Sequence, residues 1–146
     1  MSLSTQTIKI VIIMAGDEQY GLPIEHVASI ERVLDITPMP EMPSEVLGVI
    51  HLRGNVIPII DFGHLIGKRK TETTDKTRIV ILQNEDRYLG LLTEEATDVI
   101  DIKADSIQSP GSFSPKENSL IQGVSKQDED LIIVLNCPVI FKNRNI

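Results

Sequence analysis

Few side chains in this 146-residue chain combine the type and the spacing that a reaction centre needs. Its one cysteine, Cys137, precedes Pro138 in an apolar stretch, the setting of a buried structural thiol rather than an activated nucleophile. His26, His51 and His64 stand outside any Glu-x-x-His or Cys-x-x-Cys pattern that would bring two ligands to one metal. Gly48 and Gly54 lack the Gly-Lys-Ser/Thr ending of a phosphate loop. Asp61 stands ready to cap Phe62-Gly63-His64-Leu65, a cheaper role than general base. Asp128-Glu129-Asp130 lacks the spaced ligands and closing Glu of a calcium loop and reads as a hairpin tip. These residues supply no catalytic, cofactor or metal centre.

Recognition is a different matter. Arg53 lies between two very apolar runs, residues 49–52 and 56–60, in the turn Arg53-Gly54-Asn55, where Gly54 and Asn55 suit positive φ. An arginine on a rigid tip presents planar donors that grip a partner's carboxylate or carbonyl groups.

The elements that must hold such a tip are strands. The chain has 22 Ile and 11 Val against 13 Leu and 4 Ala, a balance that suits pleated sheets and argues against helical bundles. Residues 8–14 and 20–24 form a hairpin across residues 15–19. Residues 78–83 and 88–92 form another across Asn84-Glu85-Asp86-Arg87, and residues 131–135 are the last strand. Val27, Ile30 and Val33 extend the apolar pattern in a further strand. Pro38, Pro40 and Pro43 stiffen the connection 37–44, after which Ser44 is expected to cap one helical turn over residues 44–47. Residues 68–76, charged and Thr-rich, read as a solvated linker, and residues 106–119 as a loop.

The halves resemble each other. Ile10-Val11-Ile12-Ile13, Asp17, Tyr20 and Val27…Ile30 recur as Ile79-Val80-Ile81-Leu82, Asp86, Tyr88 and Ala96…Val99, offset by 68 or 69. Gly48-Val49 and residues 57–60 recur as Gly123-Val124 and residues 132–135, offset by 75. Closing each half of roughly 70 residues into a barrel removes the unpaired edges of short strands. Two such barrels share a seam that is expected to leave an apolar strip at the surface.

A net charge of −7 with 3% aromatics excludes a cationic nucleic-acid face and a base-stacking platform. The single cysteine and the polar N-terminal residues without a basic leader fit the cytoplasm, with no direct membrane insertion.

Within residues 42–67, Gly48-Val49-Ile50, Leu52-Arg53-Gly54 and Pro58-Ile59-Ile60-Asp61 resemble the signature of the CheW family of chemotaxis coupling proteins. Tyr20-Gly21-Leu22-Pro23-Ile24 resembles that family's opening hairpin, and Gly123-Val124 with the acidic hairpin before residues 131–135 resembles its close. The resemblance implies an all-β fold: two pseudo-repeated five-stranded SH3-like barrels packed together with short helical turns. These would form a single domain over residues 7–141 made of two intertwined barrel subdomains. It also implies a non-catalytic adaptor without cofactors. The adaptor would link the cytoplasmic tip of methyl-accepting chemoreceptors to the regulatory domain of a CheA-type histidine kinase, and receptor arrays would recruit it to the inner face of the membrane.

By the same resemblance Arg53, Gly48, Gly54 and His51 face the receptor, and Val27, Ile30 and Ser29 face the kinase. Two positions depart from the family pattern: His51 stands where Asn is usual, and Ser29 where an acidic residue is frequent, with Glu31 nearby. A coupling protein of a pilus-motility or other chemosensory pathway, and a small-barrel ligand-sensing domain, are the rival readings.

Overall fold

The structure is a computed structural model in which residues 6–109 and 119–142 are described. In chain order these residues form β1 (Thr7–Ala15), β2 (Glu18–Pro23), β3 (Val27–Arg32), β4 (Val46–Leu52), β5 (Asn55–Asp61) and α1 (Phe62–Leu65). They continue with β6 (Arg78–Asn84), β7 (Arg87–Thr93), β8 (Glu95–Lys103), β9 (Ile107–Gln108), β10 (Ile121–Gln127), β11 (Asp130–Leu135) and α2 (Cys137–Lys142). One sheet runs β8-β1-β2-β11-β10-β9 and the other β3-β6-β7-β5-β4, each curled into a small SH3-like barrel. The all-β expectation holds.

The isoleucine runs are continuous because both faces of these strands are buried. In β1, Ile10 and Ile12 point into one barrel with Ile102, Ile132 and Val134, while Val11 and Ile13 point the other way. There they join Tyr20, Leu22, Val46, Ile60, Phe62, Val80, Leu82 and Leu91, with Ile140 and Phe141 of α2, in a cluster shared by both barrels. Tyr20 and Phe62 meet edge to face across it, ring centroids 5.0 Å apart. Ile50, Ile57, Ile59, Ile79 and Ile81 fill the second barrel. The seam is therefore the main core and not a surface strip, because α2 and the inward faces of both sheets cover it.

The duplication is visible in the pairing itself. Ile30 faces Val80 and Val99 faces Val11, so both members of the pair recur 69 positions on. The ladders even break at equivalent places, between Val27 and Ser29 in β3 and between Ala96 and Asp98 in β8. Yet a barrel is not built from one half. The β1–β2 hairpin lies between β8 and β11 of the second half, and the β6–β7 hairpin lies between β3 and β5 of the first. A hydrophobic pattern specifies which faces are buried, not which of two like hairpins supplies them. The 3₁₀ turn Ile24–His26 carries the chain from one sheet to the other.

Glycine explains the recurring Gly-Val. Gly48 has φ 147°, and a Cβ there would lie 2.2 Å from the Thr37 carbonyl oxygen, because residue 37 pairs with Val49 alongside β4. At the equivalent Gly123 a Cβ would lie 2.6 Å from the Ile107 side chain and 2.9 Å from the Gln108 carbonyl oxygen, where β9 pairs with β10.

Three local expectations change. Residues 44–47 form no helical turn: the Val46 amide donates to the Pro43 carbonyl at 2.9 Å, and Val46 enters β4 because its side chain belongs to the core. Residues 68–76 are anchored rather than free, since the Thr71 amide and hydroxyl donate to the buried Asp61 carboxylate at 3.0 and 2.8 Å. Of the expected loop 106–119, Ser106 ends a 3₁₀ turn and residues 107–108 are β9, while residues 110–118 lie outside the described residues. Asp61 does cap α1, accepting from the His64 amide at 3.3 Å.

Candidate functional site

The β4–β5 hairpin ends in a two-residue loop, with Leu52 opposite Asn55. Both loop residues have positive φ, 49° at Arg53 and 81° at Gly54, the geometry whose twist matches the flanking strands. The strained positions are thus 53 and 54, not 54 and 55; Asn55 already belongs to β5. At the other two-residue tips only the first residue, Gly16, Glu85 or Asp128, has positive φ. A long side chain with a Cβ holds a conformation that glycine or asparagine takes at less cost, so backbone strain is stored at this exposed tip.

The Arg53 side chain points away from the core, 69% exposed, and its Nη1 lies 3.3 Å from Oε2 of Glu31, whose own side chain is 18% exposed. β3 and β4 are the two edges of their sheet, so this ion pair bridges the open side of the barrel. One face of the guanidinium is committed to Glu31 and the rest faces solvent. His51 is exposed on β4 directly opposite Val56, which is 66% exposed. Directly opposed residues share a face, so Arg53, His51 and Val56 together form the outer surface of the hairpin. Gly48 lies deeper, where it lets residue 37 approach, and acts on the tip only through the backbone. A Cβ at Gly54 would meet nothing within 4 Å, so this glycine serves φ alone.

Val27, Ser29 and Ile30 are not one strip. Three residues of spacing is odd, and in a strand odd spacings point to opposite faces. Val27 is half-buried against the shared core, and Ser29 faces the same way with its hydroxyl unpartnered among the described residues. Ile30 alone stands outward, 43% exposed, with Ala28 and Arg32. The residue that the sequence reading underrated is Glu31, placed only as a neighbour of Ser29. Charge complementarity to Arg53 was its one available signal, and it says nothing of distance. In the sequence Val56 shows itself only as a strand residue.

Cys137 is buried at the start of α2, and burial, with the Glu25 charge added, pushes its thiol up to about 12. Burial likewise raises the Tyr20 phenol. Among the described residues no three His, Cys, Asp or Glu side chains converge as a metal site would require. No helix among them is long and apolar enough to cross a membrane.

Comparison with known proteins decides the family. The family model described as CheW-like domain matches residues 9–145. The chain belongs to the CheW-like domain family. Chemotaxis protein CheW of Helicobacter pylori is 32% identical over 127 residues, 87% of this chain and 77% of that protein. Chemotaxis protein CheW of Bacillus subtilis is 31% identical over 129 residues, 88% of this chain and 83% of its own. The crystal structure of scaffolding protein TtCheW from Thermoanaerobacter tengcongensis superimposes with a TM-score of 0.80 at 30% identity, covering 93% of this chain and 88% of that one. The CheW-like assignment thus rests on the whole fold, both barrels included, and not on the central hairpin motif alone.

Proposed function

We propose that this chain is a non-catalytic adaptor that couples membrane chemoreceptors to a CheA-type histidine kinase in chemotaxis signalling arrays. Residues 7–141 act as one CheW-like domain. The observation that carries the reading is Arg53, an arginine held in strained backbone at an exposed tip, with its side chain outward on a body whose one thiol is buried and protonated. An adaptor needs separate faces of complementary shape and charge rather than a pocket with chemistry. The Arg53 tip, with Gly54 setting the turn, Gly48 seating the hairpin and His51 beside it, serves the cytoplasmic tip of a methyl-accepting receptor. Ile30 presents the apolar anchor for the kinase regulatory domain, and Val27 and Ser29 support its strand from the inner side. The adaptor works in the cytoplasm and reaches the membrane through the receptors.

The test is co-purification with a histidine kinase and a receptor signalling fragment from the same cell. Arg53→Glu is expected to abolish receptor capture while kinase capture and the circular dichroism spectrum stay unchanged. Ile30→Asp is expected to do the converse. Receptor capture that survives Arg53→Glu refutes the assignment of that tip.

A further inference from the structure

The segment that joins α1 to β6 is the most basic stretch of this acidic chain, although Glu72 and Asp75 lie within it. Residues 68–76 hold four of the chain's fourteen lysines and arginines: Lys68, Arg69, Lys70 and Lys76. Lys68 pairs with Glu18 and Arg69 with Glu72, whereas Lys70 and Lys76 make no ion pair among the described residues. The strap that carries them is fixed. Asp61 holds Thr71, the Thr77 hydroxyl accepts from the Thr74 amide at 2.8 Å, and the Lys68 amide donates to the Gly63 carbonyl at 2.8 Å. It lines a groove of about 580 Å³ together with Gly16, Glu94 and Glu95.

Where the strap ends, Arg78 faces Arg32 directly across the β3–β6 ladder. Like charges directly opposite each other destabilise a sheet. Arg78 turns its guanidinium toward the carbonyls of Asp75 and Thr77, at 2.9 and 2.8 Å, while Arg32 stays exposed without an ion pair among the described residues.

We propose that Arg32, Arg78, Lys70 and Lys76 form a docking surface for an acidic peptide segment of a partner protein. The inference goes beyond the coupling role and does not depend on which partner Arg53 engages. An anionic ligand removes the repulsion that the Arg32/Arg78 pair otherwise carries and supplies the strap lysines with counter-charges. A peptide fits better than a sheet of lipid headgroups for two reasons. The chain carries a net −7, and carboxylates of Glu72, Glu94 and Glu95 line the groove beside Lys70 and Lys76, so a uniform anionic surface would meet like charge there, whereas a peptide with spaced acidic side chains can set them against the four cations. Glu94 is already engaged by the Gly16 amide at 2.7 Å and Glu72 by Arg69, which leaves Glu95 to accept donors from the peptide backbone.

The probe is a short dye-labelled peptide alternating glutamate with alanine, followed by amide chemical shifts and fluorescence anisotropy on the full chain. Shifts are expected at residues 32 and 68–78, with affinity falling steeply as salt rises. The Arg32→Glu/Lys70→Glu/Lys76→Glu variant is expected to lose about tenfold or more in affinity, and Arg53→Asn to lose little. Because the replaced side chains are exposed and Arg32→Glu relieves the repulsion with Arg78, a thermal midpoint no lower than that of the parent verifies the fold. Equal binding by the triple variant, or shifts elsewhere, overturns the proposal. So does tighter binding to phosphatidylglycerol-containing vesicles than to the peptide. Sedimentation showing that the same variant abolishes self-association instead makes the occupant a second copy and also overturns it.

Discussion

Replacing Arg53 by asparagine separates what the residue does for the fold from what it does for a partner. At φ 49° a side chain with a Cβ sits in left-handed backbone, which costs roughly 1–2 kcal/mol for an ordinary residue. Asparagine tolerates that region, and Asn-Gly is the favoured pair for a two-residue hairpin loop with both φ values positive. Against this gain stands the loss of the Arg53–Glu31 ion pair. With the arginine 69% exposed, solvent screening limits that pair to about 0.2–1 kcal/mol. Glu31 keeps access to water at 18% exposure, so no buried charge is orphaned.

The balance favours the variant by roughly 0.5–1 kcal/mol, an increase in Tm of about 2–3 °C for a chain of this size. The same change removes a charged donor from the tip, and a hydrogen bond to a partner carboxylate carries about 1.5–3 kcal/mol. Receptor capture should therefore fall by about tenfold or more while stability rises. Thermal unfolding followed by circular dichroism, with Glu31→Gln as the companion, reads the first quantity. Pull-down with a receptor fragment reads the second. A variant less stable than Glu31→Gln would refute the reasoning, because Arg53 would then be a clasp between the sheet edges and not a strained contact residue.

Other outcomes follow from the same geometry. Gly48→Ala is expected to cost on the order of 3 kcal/mol, from a Cβ driven against the Thr37 carbonyl at positive φ. Gly123→Ala, whose nearest obstacle is the Ile107 side chain, should cost less, and urea midpoints order the two. Asp61→Ala leaves the His64 and Thr71 donors unmatched and should cost about 2–4 kcal/mol, with hydrogen exchange accelerated at residues 68–76. The Cys137 thiol is raised to about 12 in the folded protein, so the unfolded chain ionises first as pH climbs past about 9. Its contribution is then complete below pH 9 and is lost by about 1.4 kcal/mol per unit up to pH 12. Cys137→Ala should flatten that alkaline slope in urea titrations.

Residues that act locally were legible in the sequence; those whose meaning depends on a partner strand were not. Asp61 reads as a cap because capping needs only its own next three residues. Cys137 reads as buried because its neighbours are apolar, although the helix over Cys137–Lys142 was hidden behind Pro138. The Arg53-Gly54 turn was found one residue out of register, since Gly54 and Asn55 are the usual bearers of positive φ and the ladder chose Arg53 instead. Val27 and Ile30 look like one apolar ridge when the spacing is judged by a helix, and the period of two in β3 separates them. The Arg53–Glu31 bridge joins residues 22 positions apart on opposite sheet edges and carries no local signature. The charge of the strap reads as solvated, while one threonine, Thr71, fixes it to a buried carboxylate.

Exchange of the hairpins between barrels bears on how such a scaffold can hold two partners at once. If each half made its own barrel, the two barrels would be units joined by a single connection, free to tilt against one another. Here each barrel contains a hairpin from the other half, and Val11, Ile13, Val80 and Leu82 of the exchanged strands lie together in the shared cluster. Separating the two halves of the chain would tear β2 from β11 and β7 from β5 as well as exposing that cluster. The two barrels are therefore locked as one body, and a load applied at the Arg53 tip passes through paired backbone rather than a hinge. A rigid coupling element needs no catalytic group to transmit the position of one partner to another; it needs faces that cannot move independently.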